Sequence, residues 1–183
     1  MQLQDYIIEI PDVLDHRFCS DLINNKKYEY NPAEIMMTWE GQPQKYAIPS
    51  IDTTIRNCSK ASLFEEDDKV VFQAVGTTIH EYIKELKVDL PGELNDSGYD
   101  ILKYERGGFY IQHTDDNKDI PRRVSISLLI NEEYEGGEMQ FFGDYKVQGK
   151  TGSAIVFPSN YCYPHEVLPV ESGTRYSIVT WIL

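Results

Sequence analysis

The sequence predicts an α+β fold with a β core, in which helices pack on a β-sandwich or jelly roll. Its second half, after residue 97, consists of short β-rich runs separated by glycine-containing turns, which is the pattern of such a sandwich. The first half contains one long stretch of helical periodicity. No repeat, low-complexity tract or Gly/Ser linker divides the 183 residues. We therefore expect a single domain, with a supporting region over 1–96 and the β core over 97–183.

Local signals define the elements of the first half. Residues 6–10 are rich in β-forming side chains and stop at Pro11, which predicts a strand. Asp15 is placed to cap a short helix over 16–25. The stretch 31–50 contains three prolines and predicts loop mixed with short strands, whereas 51–58 predicts another strand.

The longest predicted helix covers residues 67–87, where apolar side chains recur at helical spacing. Four acidic residues, 65–68, lie at its start, and Lys84 and Lys87 lie at its end. Each charge is on the side that the helix dipole favours. The acidic run is therefore interpreted as a helix N-terminus rather than a functional tail.

The β core is predicted as a series of short strands. Glycine-containing turns separate them, at residues such as 107–108, 136–137 and 172–173. The predicted strands cover 99–104, 109–113, 124–131, 138–142, 154–157, 166–170 and 175–182.

Composition and charge restrict the partners. The chain has 30 acidic and 17 basic residues, a formal charge of −13, which disfavours binding to nucleic acid or to an anionic membrane surface. No stretch approaches the roughly 18 apolar residues of a membrane helix, and the N-terminus lacks a signal-peptide pattern. Cys19, Cys58 and Cys162 fit no metal or redox spacing, which favours free thiols in a reducing compartment. We expect a soluble, cytoplasmic protein.

Two histidines and one carboxylate in the second half could bind a metal. His113 and Asp115 are two residues apart, so on a strand both side chains point to one face. His165 lies at the start of a later predicted strand. Two imidazoles and one carboxylate are the ligand set of non-haem Fe(II) oxygenases, whereas zinc favours a fourth protein ligand or a closed site. An isolated His-x-Asp pair is weak support for a metal site, and a further motif downstream strengthens the case.

An arginine near the C-terminus provides that further pattern. Arg175 and Ser177 are again two residues apart on a predicted strand, so both can project into the interior. A buried arginine needs an anionic partner. If a dicarboxylate co-substrate chelates the metal through one end, its other carboxylate can bind the Arg175 side chain.

Several ordered motifs resemble one known family. Residues 104–115, YERGGFYIQHTD, are similar to the YxxGxxYxxHxD signature of the prolyl 4-hydroxylase-like Fe(II)/2-oxoglutarate oxygenases. Downstream, RVSISLLIN at 123–131 with GGE at 136–138, GSAIVFP at 152–158, HEV at 165–167 and GTR at 173–175 resemble later family segments. The resemblance covers roughly residues 97–183.

This resemblance implies a double-stranded β-helix, a distorted jelly roll backed by N-terminal helices. It implies that Fe(II) is bound by three side chains, those of His113, Asp115 and His165. Arg175 would bind the distal carboxylate of 2-oxoglutarate, Tyr104 would donate its hydroxyl to this co-substrate, and Ser177 would add a hydrogen bond. O2 completes the reactants, and ascorbate is a further suggested cofactor. Tyr110 fits either a pocket wall or the core, and Trp181 is interpreted as packing.

The resulting hypothesis is a 2-oxoglutarate-dependent dioxygenase that hydroxylates a C–H bond, with peptidyl proline as the expected target and succinate and CO2 as co-products. Two alternatives stay open: a non-catalytic jelly-roll binding module, and a cupin-like metal isomerase or hydrolase. Acidic residues at 115–119 and 132–135 flank the expected site in sequence. They suggest a neutral or cationic peptide or protein substrate.

Overall fold

A computed structural model of the chain describes residues 2–37, 48–116 and 120–183. Parts of two regions discussed above, 31–50 and 115–119, lie outside these residues. The described chain contains a short 3-10 helix, Leu3–Tyr6, and two α-helices, α1 (His16–Asn24) and α2 (Glu65–Leu86). Neither α-helix combines the length and apolar character that crossing a membrane requires.

Sixteen strands are found among the described residues. In chain order they are β1 (Ile8–Ile10), β2 (Asn31–Pro32), β3 (Ile35–Met37), β4 (Ile48–Ser50), β5 (Arg56–Asn57), β6 (Ser59–Ser62), β7 (Asp100–Tyr104), β8 (Phe109–His113), β9 (Val124–Leu129), β10 (Tyr134–Gly136), β11 (Met139–Phe141), β12 (Tyr145–Val147), β13 (Ala154–Pro158), β14 (His165–Val167), β15 (Val170–Gly173) and β16 (Arg175–Ile182).

Most strands belong to two antiparallel sheets. The larger sheet has seven strands in the order β1-β13-β9-β16-β7-β6-β2. The smaller sheet has five strands in the order β12-β11-β14-β8-β5. Two further strand pairs, β3-β4 and β10-β15, complete the described β-structure. The expected α+β class with a β core is therefore observed.

The central strands of the larger sheet are buried on both faces, because each face covers a different core. Side chains alternate between the faces of a strand. Leu128 of β9 packs in the core that α1 and α2 share with the sheet. Its neighbour Leu129 packs in a second core, together with residues of the smaller sheet such as Phe141. The functional cavity described below opens within this second core.

The helices begin where the sequence provides donors and acceptors for their free ends. Asp15 caps α1, and its carboxylate accepts hydrogen bonds from the backbone N–H groups of Arg17 and Phe18 at 2.8 and 3.2 Å. Phe64, which precedes α2, provides no capping side chain. A distant residue supplies the cap: the Tyr28 hydroxyl accepts from the Phe64 N–H at 3.2 Å and donates to Asp67 at 2.6 Å.

Two strand predictions were wrong at their boundaries. Residues 51–58 do not form one strand, because Asp52 accepts hydrogen bonds from both the N–H and the hydroxyl of Thr54 and closes a turn. Extended structure resumes only at β5 and β6. Residues 166–170 also form no single strand, since β14 ends at Val167 and β15 begins at Val170 on another partner. The short strands β10 and β12 were not predicted.

We expect the Tyr28→Phe substitution to lower the free energy of unfolding by about 1 kcal/mol, because α2 loses its cap while the ring remains. Urea denaturation monitored by circular dichroism measures this change. Tyr161→Phe is the matched control, since Tyr161 is 77% exposed and its hydroxyl caps no helix. Equal stability of the two variants would contradict a capping role for Tyr28.

Candidate metal centre and co-substrate pocket

Two imidazoles meet across neighbouring strands of the smaller sheet. His165, the first residue of β14, pairs in register with His113, the last residue of β8, and the ring centroids are 4.3 Å apart. The Nδ1 atom of His113 lies 2.8 Å from the Ile111 carbonyl, and that of His165 lies 3.0 Å from the Tyr163 carbonyl. These contacts place the proton on Nδ1 and leave each Nε2 lone pair free for a metal.

Asp115 follows β8 and brings a carboxylate to the two imidazoles. Its Oδ1 lies 3.7 Å from His113 Nε2, and its Oδ2 lies 3.7 Å from His165 Nε2. The three candidate ligand atoms all lie within 4.8 Å of one another. The Ser125 hydroxyl donates a hydrogen bond to Oδ2 at 2.7 Å, which fixes the orientation of the carboxylate.

The protonation states of these groups suit a divalent cation. Burial, with the nearby His165, lowers the pKa of His113 to about 4, so the imidazole is neutral at neutral pH. Burial alone would raise the pKa of the Asp115 carboxyl, but the two imidazoles and the hydrogen bonds from Ser125 and Trp181 outweigh it and lower the pKa. The Asp115 carboxylate and the neutral imidazole of His113 are therefore available as ligands.

A second polar group lies deeper, on the larger sheet. Arg175 is only 2% exposed, and its Nη1 donates to the hydroxyl of the fully buried Ser177 at 2.8 Å. Its Nε has no hydrogen-bond partner, and no carboxylate of the described residues pairs with the side chain. Tyr104 pairs with Arg175 in the strand register, and its ring centroid lies 5.3 Å from the guanidinium carbon. Burial raises the pKa of Tyr104, so its hydroxyl stays protonated and able to donate.

The double glycine of the GGE segment leaves room for Arg175. Gly137 has a φ of 68°, a left-handed conformation that favours glycine. A Cβ atom at this position would lie 3.2 Å from Cδ of Arg175 and 3.0 Å from a methyl group of Val170. A larger residue would therefore displace the arginine that the pocket buries.

Both groups open into one cavity of about 450 Å³ between the two sheets. The metal-ligating candidates lie toward one part of its wall, and Tyr104, Arg175 and Ser177 form another part. All six residues predicted from the sequence thus line one cavity. The three donor atoms fit a divalent metal, and the unpaired donors of a buried guanidinium fit a carboxylate.

Several residues around the cavity were assigned no function from the sequence. Tyr110 stacks on the ring of His113 at a centroid distance of 3.6 Å, so it is a pocket wall. Trp181 was interpreted as packing, but it lines the cavity, and its ring lies against the Arg122 guanidinium. Ser125 was not singled out at all. Strand parity would have found Trp181, because it lies six residues from Arg175 on β16 and shares its face.

Two further arginines line the same cavity. Arg56 of β5 lies over the ring of Tyr110, with its guanidinium carbon 4.8 Å from the centroid. Arg122 lies over the ring of Trp181 at 3.7 Å. Burial raises the pKa of Tyr110, and the charge of Arg56 opposes this rise.

The acidic residues 132–135, by contrast, are not part of the cavity wall. Glu132 accepts a hydrogen bond from the Thr151 N–H at 2.7 Å, and Glu135 accepts one from the Ser172 hydroxyl at 2.8 Å. These acidic residues are close to the site in sequence but do not line its cavity.

Comparison with protein families gives a match over the β core. Residues 99–183 match the model of the 2OG-Fe(II) oxygenase superfamily. Two curated relatives are named PKHD-type hydroxylases. The one from Alteromonas mediterranea is 42% identical over 62 residues, which are 32% of this chain and 26% of the relative. The one from Synechococcus sp. is 32% identical over 93 residues, 45% of this chain and 41% of the relative. The chain thus spans less than half the length of these relatives.

Solved structures match over almost the whole chain. A collagen prolyl hydroxylase of Paramecium bursaria Chlorella virus-1 is 23% identical with a TM-score of 0.67, covering 97% of this chain and 95% of that one. A prolyl-4-hydroxylase of Pseudomonas putida is 22% identical with a TM-score of 0.68, covering 97% and 91%. The expected double-stranded β-helix is confirmed. Residues 99–183 are therefore similar to the 2OG-Fe(II) oxygenase superfamily, and the chain shares its fold with solved prolyl hydroxylases.

Proposed function

We propose that the chain is an Fe(II)- and 2-oxoglutarate-dependent dioxygenase that hydroxylates a C–H bond, most directly that of a peptidyl proline, and releases succinate and CO2. The observation that carries this proposal is the meeting of a His-Asp-His group and a buried, unpaired Arg175 in one cavity. A solved prolyl hydroxylase of Trichoplax adhaerens, which shares the fold with a TM-score of 0.71 at 17% identity, is bound to a hypoxia inducible factor peptide. That complex supports a peptide or protein as the substrate class.

The His-Asp-His group would hold the iron. His113 and His165 offer their Nε2 atoms, and Asp115 offers the one anionic ligand. When bound, Fe(II) supplies with 2-oxoglutarate and O2 the oxidising power that breaks a C–H bond. The protein keeps both imidazoles in the tautomer that binds metal, through the two carbonyl contacts on Nδ1.

The second group would hold 2-oxoglutarate. Arg175 pairs its free guanidinium donors with the distal carboxylate, and Ser177 keeps Nη1 in place. The Tyr104 hydroxyl donates to the same co-substrate from the neighbouring strand. This end of the cavity is buried, so the carboxylate and the guanidinium would lose their bound water when they pair. Solvent would then not screen the attraction between the two charges.

The two alternative functions lack a specific observation in their favour. A non-catalytic binding module has no use for three metal ligands with their Nε2 and carboxylate oxygens pointing at one place. A metal isomerase or hydrolase of the cupin type leaves the buried, unpaired Arg175 without a role. The expected neutral or cationic substrate stays a prediction, although residues 132–135, on which it partly depended, do not line the cavity.

We expect Arg175→Ala to raise the KM for 2-oxoglutarate by about 30-fold or more, because truncating one partner of a buried charge pair leaves the other charge unpaired. Succinate release at varied 2-oxoglutarate measures this change, with metal content checked in parallel. Arg123→Ala is the matched control, since the Arg123 side chain is outside the cavity wall. An unchanged KM in Arg175→Ala would remove the co-substrate role and most of the case for this enzyme class.

We expect Ser125→Ala to weaken metal binding by about tenfold, because Asp115 loses the hydrogen bond that orients its carboxylate. Titration of the metal-free protein with Mn(II) measures the affinity. Ser127→Ala is the control, since Ser127 lies on the same face of β9 and lines the same cavity. Asp115→Ala should abolish binding; if it binds Mn(II) like the wild type, the ligand assignment is wrong.

A further inference from the structure

Three arginines line one cavity of a protein whose net charge is −13. Arg175 is required by the proposed co-substrate, but Arg56 and Arg122 are not. We infer that these two arginines bind a carboxylate of the molecule that is hydroxylated, so that the substrate carries its negative charge beside the reacting C–H bond. This inference rests on the proposed function, and it names the substrate class of that same cavity.

Each of the two guanidiniums lies over an aromatic ring near the His-Asp-His group. Arg56 lies over Tyr110, and the Tyr110 ring stacks on His113 at 3.6 Å. Arg122 lies over Trp181, and its Nη1 lies 3.4 Å from the backbone carbonyl of Asp115. Arg56 is therefore one side chain away from a candidate metal ligand, and Arg122 contacts the backbone of another.

Both arginines keep free donors. Arg56 donates through Nε to the Cys58 thiol at 3.2 Å and through Nη1 to the Glu34 carbonyl at 3.1 Å. Arg122 makes one long hydrogen bond, from Nη1 to the Asp115 carbonyl at 3.4 Å. Neither pairs with a carboxylate among the residues that the structure describes. Planar guanidiniums with unused donors, stacked on aromatic rings, are suited to binding carboxylates.

The other charges at the cavity do not neutralise this pair. Asp115 belongs to the metal group, and its negative charge is opposed by the metal when bound. Asp116 is exposed to solvent, which screens its charge. The Glu34 carboxylate lies 3.9 Å from the Lys60 ammonium, outside the pair.

Tyr110 adds a hydroxyl to this wall of the cavity, and its ring contacts both Arg56 and His113. A carboxylate near Tyr110 would thus meet two cationic side chains and one hydroxyl, beside the place where the metal is bound.

Such a carboxylate has two sources, the terminal α-carboxylate of a free residue or the side chain of an acidic neighbour in a peptide. Two probe pairs separate them. N-acetylproline and its amide differ only in the terminal charge. N-acetyl-glutamyl-prolinamide and its glutaminyl analogue differ only in the side-chain charge.

The experiment measures the Kd of all four probes by isothermal titration calorimetry, on the full chain loaded with Mn(II) and saturating 2-oxoglutarate. Mn(II) is used in place of Fe(II) so that binding is measured without turnover. Binding of 2-oxoglutarate is titrated first, in the same samples. Failure of that step counts against the proposed function, whereas the probe step tests only the substrate charge.

We expect at least one carboxylate probe to bind about tenfold or more tightly than its neutral analogue, since charge-assisted hydrogen bonds are the strong ones. Arg56→Gln and Arg122→Gln should each reduce this preference to about threefold or less, and Lys at either position should restore part of it. Arg123→Gln is the matched control, because it removes the same charge one residue away from Arg122 but outside the cavity wall.

Equal affinities within both probe pairs would overturn the inference. So would a preference that survives in both Gln variants, because the charge would then be recognised elsewhere. Absence of binding for all four probes up to about 10 mM would also overturn it, since two guanidiniums in a partly enclosed cavity should hold a carboxylate below that concentration.

Discussion

A charged guanidinium buried between two sheets determines how this sandwich is built. Arg175 is 2% exposed, at a depth where a sandwich ordinarily packs hydrocarbon. Because a buried charge is tolerated only with polar or ionic partners, hydrocarbon does not close over the guanidinium and a cavity remains beside it. Gly137 lies where a Cβ atom would come within 3.2 Å of the Arg175 Cδ, so a side chain there would crowd the arginine.

Most of the β core could be predicted from the sequence, because its strands are bounded by turns that local chemistry defines. Strands β8 and β16 coincide with their predicted residues. Outside the β core, the prediction for 51–58 was wrong because a side chain, that of Asp52, closes a turn inside the β-rich run. Propensity alone does not separate such a turn from a strand, since the hydrogen bond to Thr54 depends on the backbone conformation that it stabilises.

Some residues of the candidate site could be predicted from the sequence, and others could not. The metal-ligating candidates and Arg175 lie in segments whose motifs are read directly from the sequence. Arg56 and Arg122 gain their position only from the tertiary structure, since β5 must pair with β8 before Arg56 reaches the ring of Tyr110. Alternation along β16 puts Trp181 on the same face as Arg175, although it could not show the contact of the Trp181 ring with Arg122.

The three candidate ligands are fixed in position by different kinds of contact. His113 and His165 come from directly paired positions of two strands, so the spacing of the sheet sets their separation. Asp115 lies beyond the end of β8 and is held by side-chain hydrogen bonds, one of them from Ser125. The candidate metal site thus combines two ligands fixed by strand pairing with a third that is held by side-chain hydrogen bonding. Cations of different radius would be accommodated by movement of the carboxylate, while the two imidazoles stay where the sheet holds them.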